Sequence, residues 1–124
     1  MWRSRIKNQR GQALVEMALV LPILLLIVFG IVEFGRIYTY QLQVNSVARQ
    51  AARSAAVGDP DDDTALEDAM VAILGGGTVD ITRPGSDVKA QVNYSVQLYA
   101  PLVIGSANDT ILLDAVVTMR DEGL

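Results

Sequence analysis

Glu16 is the residue whose chemistry most needs explaining. It is the one ionisable side chain in residues 13–32, ALVEMALVLPILLLIVFGIV. An unpaired carboxylate in an apolar helix is costly, so such residues tend to have a partner or a task. Two readings stand: Glu16 stays hydrated among the headgroups near the helix start, or it meets a cation. Asp59, Asp61, Asp62 and Asp63 form the densest acidic cluster. Asp59, Asp61 and Asp63 copy the first three ligand positions of a Ca²⁺ loop. Thr64 then stands where a glycine is needed, and Met70 where the bidentate Glu belongs. The cluster therefore reads as a solvated linker whose acids favour the N-terminus of the next helix. Glu33 and Arg36, at i and i+3, read as an exposed pair worth at most about 0.5 kcal/mol and as a boundary marker.

The chemistry that is missing narrows the function. The chain has no His and no Cys. It thus lacks the commonest general base, the commonest metal ligand and any thiolate. Gly75-Gly76-Gly77 lacks the Lys and Ser/Thr of a phosphate loop. No nucleophile–base pair is visible, so neither catalysis nor a metal or other cofactor is expected.

The element that must position Glu16 is a membrane span. Twenty helical residues, 13–32, cover about 30 Å, the thickness of the hydrocarbon core. Arg3, Arg5, Lys7 and Arg10 give residues 1–11 a charge of +4, whereas residues 58–124 carry three cations against twelve acids. That asymmetry predicts a single-pass protein in the cytoplasmic membrane, N-terminus inside and C-terminal domain exported. Trp2 suits the interface. Four cations abutting a span serve topology and anionic lipid, so no nucleic-acid partner is expected. A cleaved secretory signal would need a shorter apolar core and a small-x-small site after it. Glu33-Phe34-Gly35-Arg36 is a poor one.

The helix is expected to continue past the bilayer, over residues 12–57 or about 69 Å. Ile37, Tyr40, Val44, Val47, Ala51 and Ala55 recur at steps of three and four, a seam for another helix or for the chain's own domain. Ala48, Ala52 and Ala56 add a small-residue row that permits close approach. Arg49 and Arg53 are solvated or paired with the acidic domain. Pro22 bends the span or is a tolerated kink. Gly58 and Pro60 mark the stop. Residues 58–124 then form a small α+β domain. Thr64-Ala-Leu-Glu67 is a capping-box pattern, and Leu66, Met70, Ile73 and Leu74 give its helix one apolar face. A short strand is expected over 78–82, a turn at Arg83-Pro84-Gly85-Ser86, and an alternating strand over 88–98 broken by Pro101. A further strand over 111–120 carries Leu112 and Val116 on its second face, which points to a central place. An antiparallel sheet of about three strands packed on helix results. So small a domain buries only roughly 60% of its unfolded surface, so a partner or an assembly is expected to help.

Gly11 followed by an apolar run with Glu16 five residues on resembles the processing site of type IV prepilins. The longer string RGQALVEMALVLPILLLIVFGIVEFGRIYTYQ is similar to the TadE-like pilus assembly proteins, pseudopilins of the tight-adherence (Flp) system. The resemblance is strong over residues 10–57 and weak over 88–99 and 111–122. Leu21-Pro22, Glu33-Phe34-Gly35-Arg36 and the Ala-rich run 48–56 make it specific. It implies a minor pilin that supports assembly of a thin pilus, entering the fibre or staying at its base. A membrane prepilin peptidase would cut between Gly11 and Gln12, the glycine letting the backbone enter a protease cleft closely. Glu16 would act in recognition or assembly, facing the new amino group of a neighbour's Gln12. The implied partners are lipid, the peptidase, other pilins or pseudopilins and the assembly platform. An uncleaved form is the alternative for processing. The alternative for function is an anchored extracytoplasmic binding or sensory domain unrelated to pili, which has no reason to carry the Gly11/Glu16 arrangement.

Overall fold

The computed structural model describes residues 3–100, 105 and 108–122, with side chains from Gly11 onward. One helix, α1, runs over Arg3–Val57 and passes Pro22 without a break. Its 55 residues reach about 82 Å at 1.5 Å per residue. It begins nine residues before the expected Gln12, because the segment around the basic tail contains no proline and only one glycine, Gly11. Helix ends at Val57, where the Gly58 N–H returns to the Ser54 carbonyl at 2.9 Å. A 3₁₀ turn at Pro60–Asp62 leads into α2, Asp63–Leu74.

The strands are β1 (Thr78–Thr82), β2 (Asp87–Gln97) and β3 (Thr110–Arg120). They form an antiparallel sheet in the order β1-β2-β3, with Val79 opposite Val92 and Tyr94 opposite Leu113. The alternation of β2 works as expected: Val88, Ala90, Val92 and Val96 are buried, while Lys89 and Gln91 turn towards the other face. That apolar face lies on α1, where Val44, Val47, Ala48, Ala51 and Ala52 meet it, and α2 adds Met70 and Leu74. Three of these five helix residues are alanines, whose small side chains permit close approach of the sheet. Tyr40 and Tyr94 stack with ring centroids 5.4 Å apart at the edge of this core.

Three local expectations change. β3 is an edge strand, not a central one. Leu112 and Val116 point away from the helix and are 68% and 48% exposed. Adjacency along the chain decided the order: β2 is hairpin-linked to β1 and directly followed by β3, so it takes the middle. Ile73 is likewise exposed, and the apolar face of α2 is made by Leu66, Met70, Val71 and Leu74. The capping box does not form. Asp59 caps the 3₁₀ turn, accepting from the Asp61 N–H at 3.2 Å. Glu67 instead accepts from the Ile81 N–H at 2.6 Å, tying α2 to β1. The Pro101 break lies outside the described residues.

Candidate functional site: the membrane-proximal helix and its clamp to the domain

Among the described residues, the first part of α1 packs against no other element. Every described side chain from Gly11 to Phe29 is exposed, and the large apolar ones between Leu14 and Phe34 leave 46–72% of their surface uncovered. α1 is the one helix, among the described residues, long and apolar enough to cross a membrane. A stripe this large is uncovered on all sides, which fits a lipid or helix environment rather than water. Glu16 stands in that stripe. Its Oε1 accepts from the Gln12 side-chain amide at 3.2 Å, one turn towards the N-terminus. The residues whose role the sequence raised, Gly11, Gln12 and Glu16, therefore occupy consecutive turns of one exposed helix. Gly11 has open space around its Cα.

The seam residues lie elsewhere. Val44, Val47, Ala51 and Ala55 are buried against the sheet and α2, with Ile37 and Tyr40 packed at the margin. Of the two occupants the spacing allows, another helix or the chain's own domain, the domain takes this face. The seam does not extend the free surface of the span outward.

Between these regions sits an ion pair that is not the exposed boundary marker expected. Glu33 is only 3% exposed. Its Oε1 accepts from Arg36 Nη2 at 2.6 Å and from the backbone N–H of Tyr99 at 3.1 Å. Arg36 Nη2 also donates to the Gln97 carbonyl, and its guanidinium lies 4.1 Å from the centroid of the Tyr99 ring. The Arg36 hydrogen bond holds the Glu33 carboxyl below its ordinary 4.5, with the Tyr99 N–H helping and burial opposing. Glu33 in turn raises Arg36. The two charges cancel where the helix would leave the bilayer, and together they fasten the end of β2 to α1. The connection beyond is closed at its neck by the Leu98 N–H on the Asp109 carbonyl at 2.6 Å. The i, i+3 spacing of Glu33 and Arg36 was visible in sequence; Tyr99, sixty-six residues from Glu33, carried no local signal.

A second cluster holds the far end. Arg83 Nε and Nη2 clasp both oxygens of Asp63 at 2.8 and 2.9 Å, Nη1 meets Asp121 at 2.9 Å, and Nη2 donates to the Ala55 carbonyl at 2.9 Å. Asp63 above all, reinforced by Asp121, raises the Arg83 guanidinium still further above its already high value. Asp63 thus leaves the solvated acidic loop and joins the end of α1, the start of α2 and the C-terminal segment through one cation. Asp59, Asp61 and Asp62 stay exposed. So do Arg49 and Arg53.

The family model described as TadE-like protein matches residues 11–53. The match starts at Gly11, contains Glu16 and the Glu33–Arg36 pair, and ends within the alanine row. This stretch is similar to that family, and it lies within the residues 10–57 over which the resemblance is strong. No curated protein and no solved structure matches the chain.

Proposed function

Taking the TadE-like helix of residues 11–53 as the premise, we propose that this chain is a minor pilin or pseudopilin. It is a structural, non-catalytic component that supports assembly of a Tad/Flp-type pilus. The observation that carries the reading is a single carboxylate, Glu16, in the apolar stretch 13–32 of α1, whose large side chains are all exposed. A span that only tethers a domain gains nothing from a charge at that depth. In the proposed role the N-terminus lies in the cytoplasm, the domain is exported, and a prepilin peptidase cuts between Gly11 and Gln12. Removing four cations takes the formal charge from −4 to −8 and frees the helix from its cytoplasmic anchor. The helix runs through the cleavage point, so the peptidase must unwind it locally. Gly11 eases that step, because glycine costs a helix about 1 kcal/mol relative to alanine. Glu16, bonded to the Gln12 amide before processing, then faces the new α-amino group of Gln12 on a neighbouring pilin or pseudopilin, at or near the assembly platform.

The direct experiment is mass spectrometry of the full chain coexpressed with its own prepilin peptidase. The expected mature N-terminus is Gln12. Gly11→Leu should leave full-length protein in the membrane, and Glu16→Ala should disturb piliation even where processing continues. A mature protein that still begins at Met1 would refute the peptidase step. If Glu16→Ala also leaves piliation and partner binding intact, an anchored binding domain is the better account.

A further inference from the structure

We propose that the segment just past the end of β2 is a lipid-contacting element. In it, Tyr99, held against Arg36, sits in the headgroup layer of the outer leaflet beside the chain's own span, so that the domain rests directly on the membrane. The inference rests on the reading of residues 13–32 as the span. Such a span ends at Val32, and Glu33 begins the next turn. Residues 33–38 then rise through about 7 Å, comparable to one headgroup layer. Tyr99 is fixed at that height, because its backbone N–H is on Glu33 and its ring is under the Arg36 guanidinium.

Tyr99 is nevertheless 80% exposed. A tyrosine whose backbone is anchored and whose ring is open to the surroundings matches the amphipathic side chains that collect at membrane interfaces. Phe34 and Tyr38, 69% and 57% exposed, stand one turn apart on the helix face opposite Arg36, at 100° per residue. Aromatic rings therefore flank α1 on both sides at one level, and that level continues the uncovered apolar stripe below it. Charge permits the approach. Glu33 and Arg36 cancel each other, so this pair brings no net charge to the edge of the hydrocarbon. A second copy of the chain would need a complementary surface at the same height; a lipid interface needs only the height itself.

The test uses the full chain in liposomes with Trp2→Phe as background, which removes the one native tryptophan. Tyr99→Trp keeps an aromatic face for Arg36. Brominated phospholipid in both leaflets makes the readout independent of insertion direction. The expected result is blue-shifted emission from position 99 that bromolipid quenches, unchanged when the protein is diluted in lipid. Water-like emission without quenching would overturn the proposal. So would shielding that disappears on dilution, which would assign the ring to a second copy. A control, Val20→Trp in the same background, separates the premise from the inference. Quenching at 20 but not at 99 leaves the span standing and removes the lipid contact, whereas no quenching at either removes the span itself.

Discussion

Replacing Arg83 with Met should expose how much of the domain depends on one cation. The guanidinium serves two carboxylates and a backbone carbonyl, and the side chains of Arg83, Asp63 and Asp121 keep only 15%, 17% and 22% of their surface. Breaking a fully buried pair from one side costs about 3–5 kcal/mol, whereas an exposed pair is worth about 0–1 kcal/mol. At roughly one-fifth exposure the loss falls nearer the buried limit, about 2–3 kcal/mol after allowing for solvent reaching the carboxylates. For a domain of this size 1 kcal/mol moves Tm by about 4–8 °C, so Arg83→Met should lower it by about 10–20 °C. The assay is thermal unfolding of the full chain in detergent, followed by near-ultraviolet circular dichroism of the tyrosines so that the micelle-bound helix does not mask the domain. Arg83→Lys keeps the charge but not the two-pronged grip on Asp63, and should fall between. Asp63→Asn should cost about 1–2 kcal/mol. Asp61→Asn, two residues away and exposed, should stay within about 0.5 kcal/mol. If Arg83→Met also stays within that range, the cluster is ornamental and the acidic segment is the solvated linker its composition suggests.

Gly77→Ala should destabilise the domain by at least about 2 kcal/mol. Its φ is +84° and a Cβ there would stand 2.3 Å from the Asn93 carbonyl oxygen. Gly85→Ala, at φ +69° in open space, should cost only about 1 kcal/mol in the same melting experiment. The Glu33 clamp should be acid-sensitive. Its folded carboxyl lies below the ordinary 4.5, so its contribution is complete above that value and fades as pH falls through the folded value. Hydrogen-exchange protection of the Tyr99 amide should therefore be constant from about pH 5 to 8 and drop only on acidification below the ordinary carboxylate range. Glu33→Gln should remove that dependence, and a protection factor that rises with acid would contradict the assignment.

How far the sequence carried the fold depends on the range of the forces involved. The long helix, the strand boundaries at Thr78–Thr82 and the burial rhythm of β2 follow from periodicity, which is a property of neighbouring residues. The seam through Val44, Val47 and Ala51 was legible for the same reason. Its occupant was not, because three- and four-residue steps say that a face is buried and not against what. β3 misled for a related reason: Leu112 and Val116 made both faces apolar, yet strand order is set by which hairpins close. Glu33 and Asp63 were underrated because charge pairs at short spacing belong, by default, to the exposed class. Each acquired its weight from a partner brought in by the fold, Tyr99 for Glu33 and Arg83 for Asp63.

The same distinction separates the two ends of α1. Gly11, Gln12 and Glu16 keep in the fold the surroundings their sequence gives them, an exposed helix on which, among the described residues, Gln12 and Glu16 meet only each other. Among the described residues, the carboxylate at 16 is answered only by a neutral amide. The carboxylate at 33 is answered by a cation and a backbone N–H, and is buried. On the pseudopilin reading proposed above, a fold that neutralises one membrane-proximal acid and leaves the other in the apolar stripe keeps Glu16 for a partner outside the chain. On that reading the processed N-terminus of a neighbouring subunit would be a cation delivered at that depth, which is why the phenotype of Glu16→Ala carries more information than any substitution within the domain.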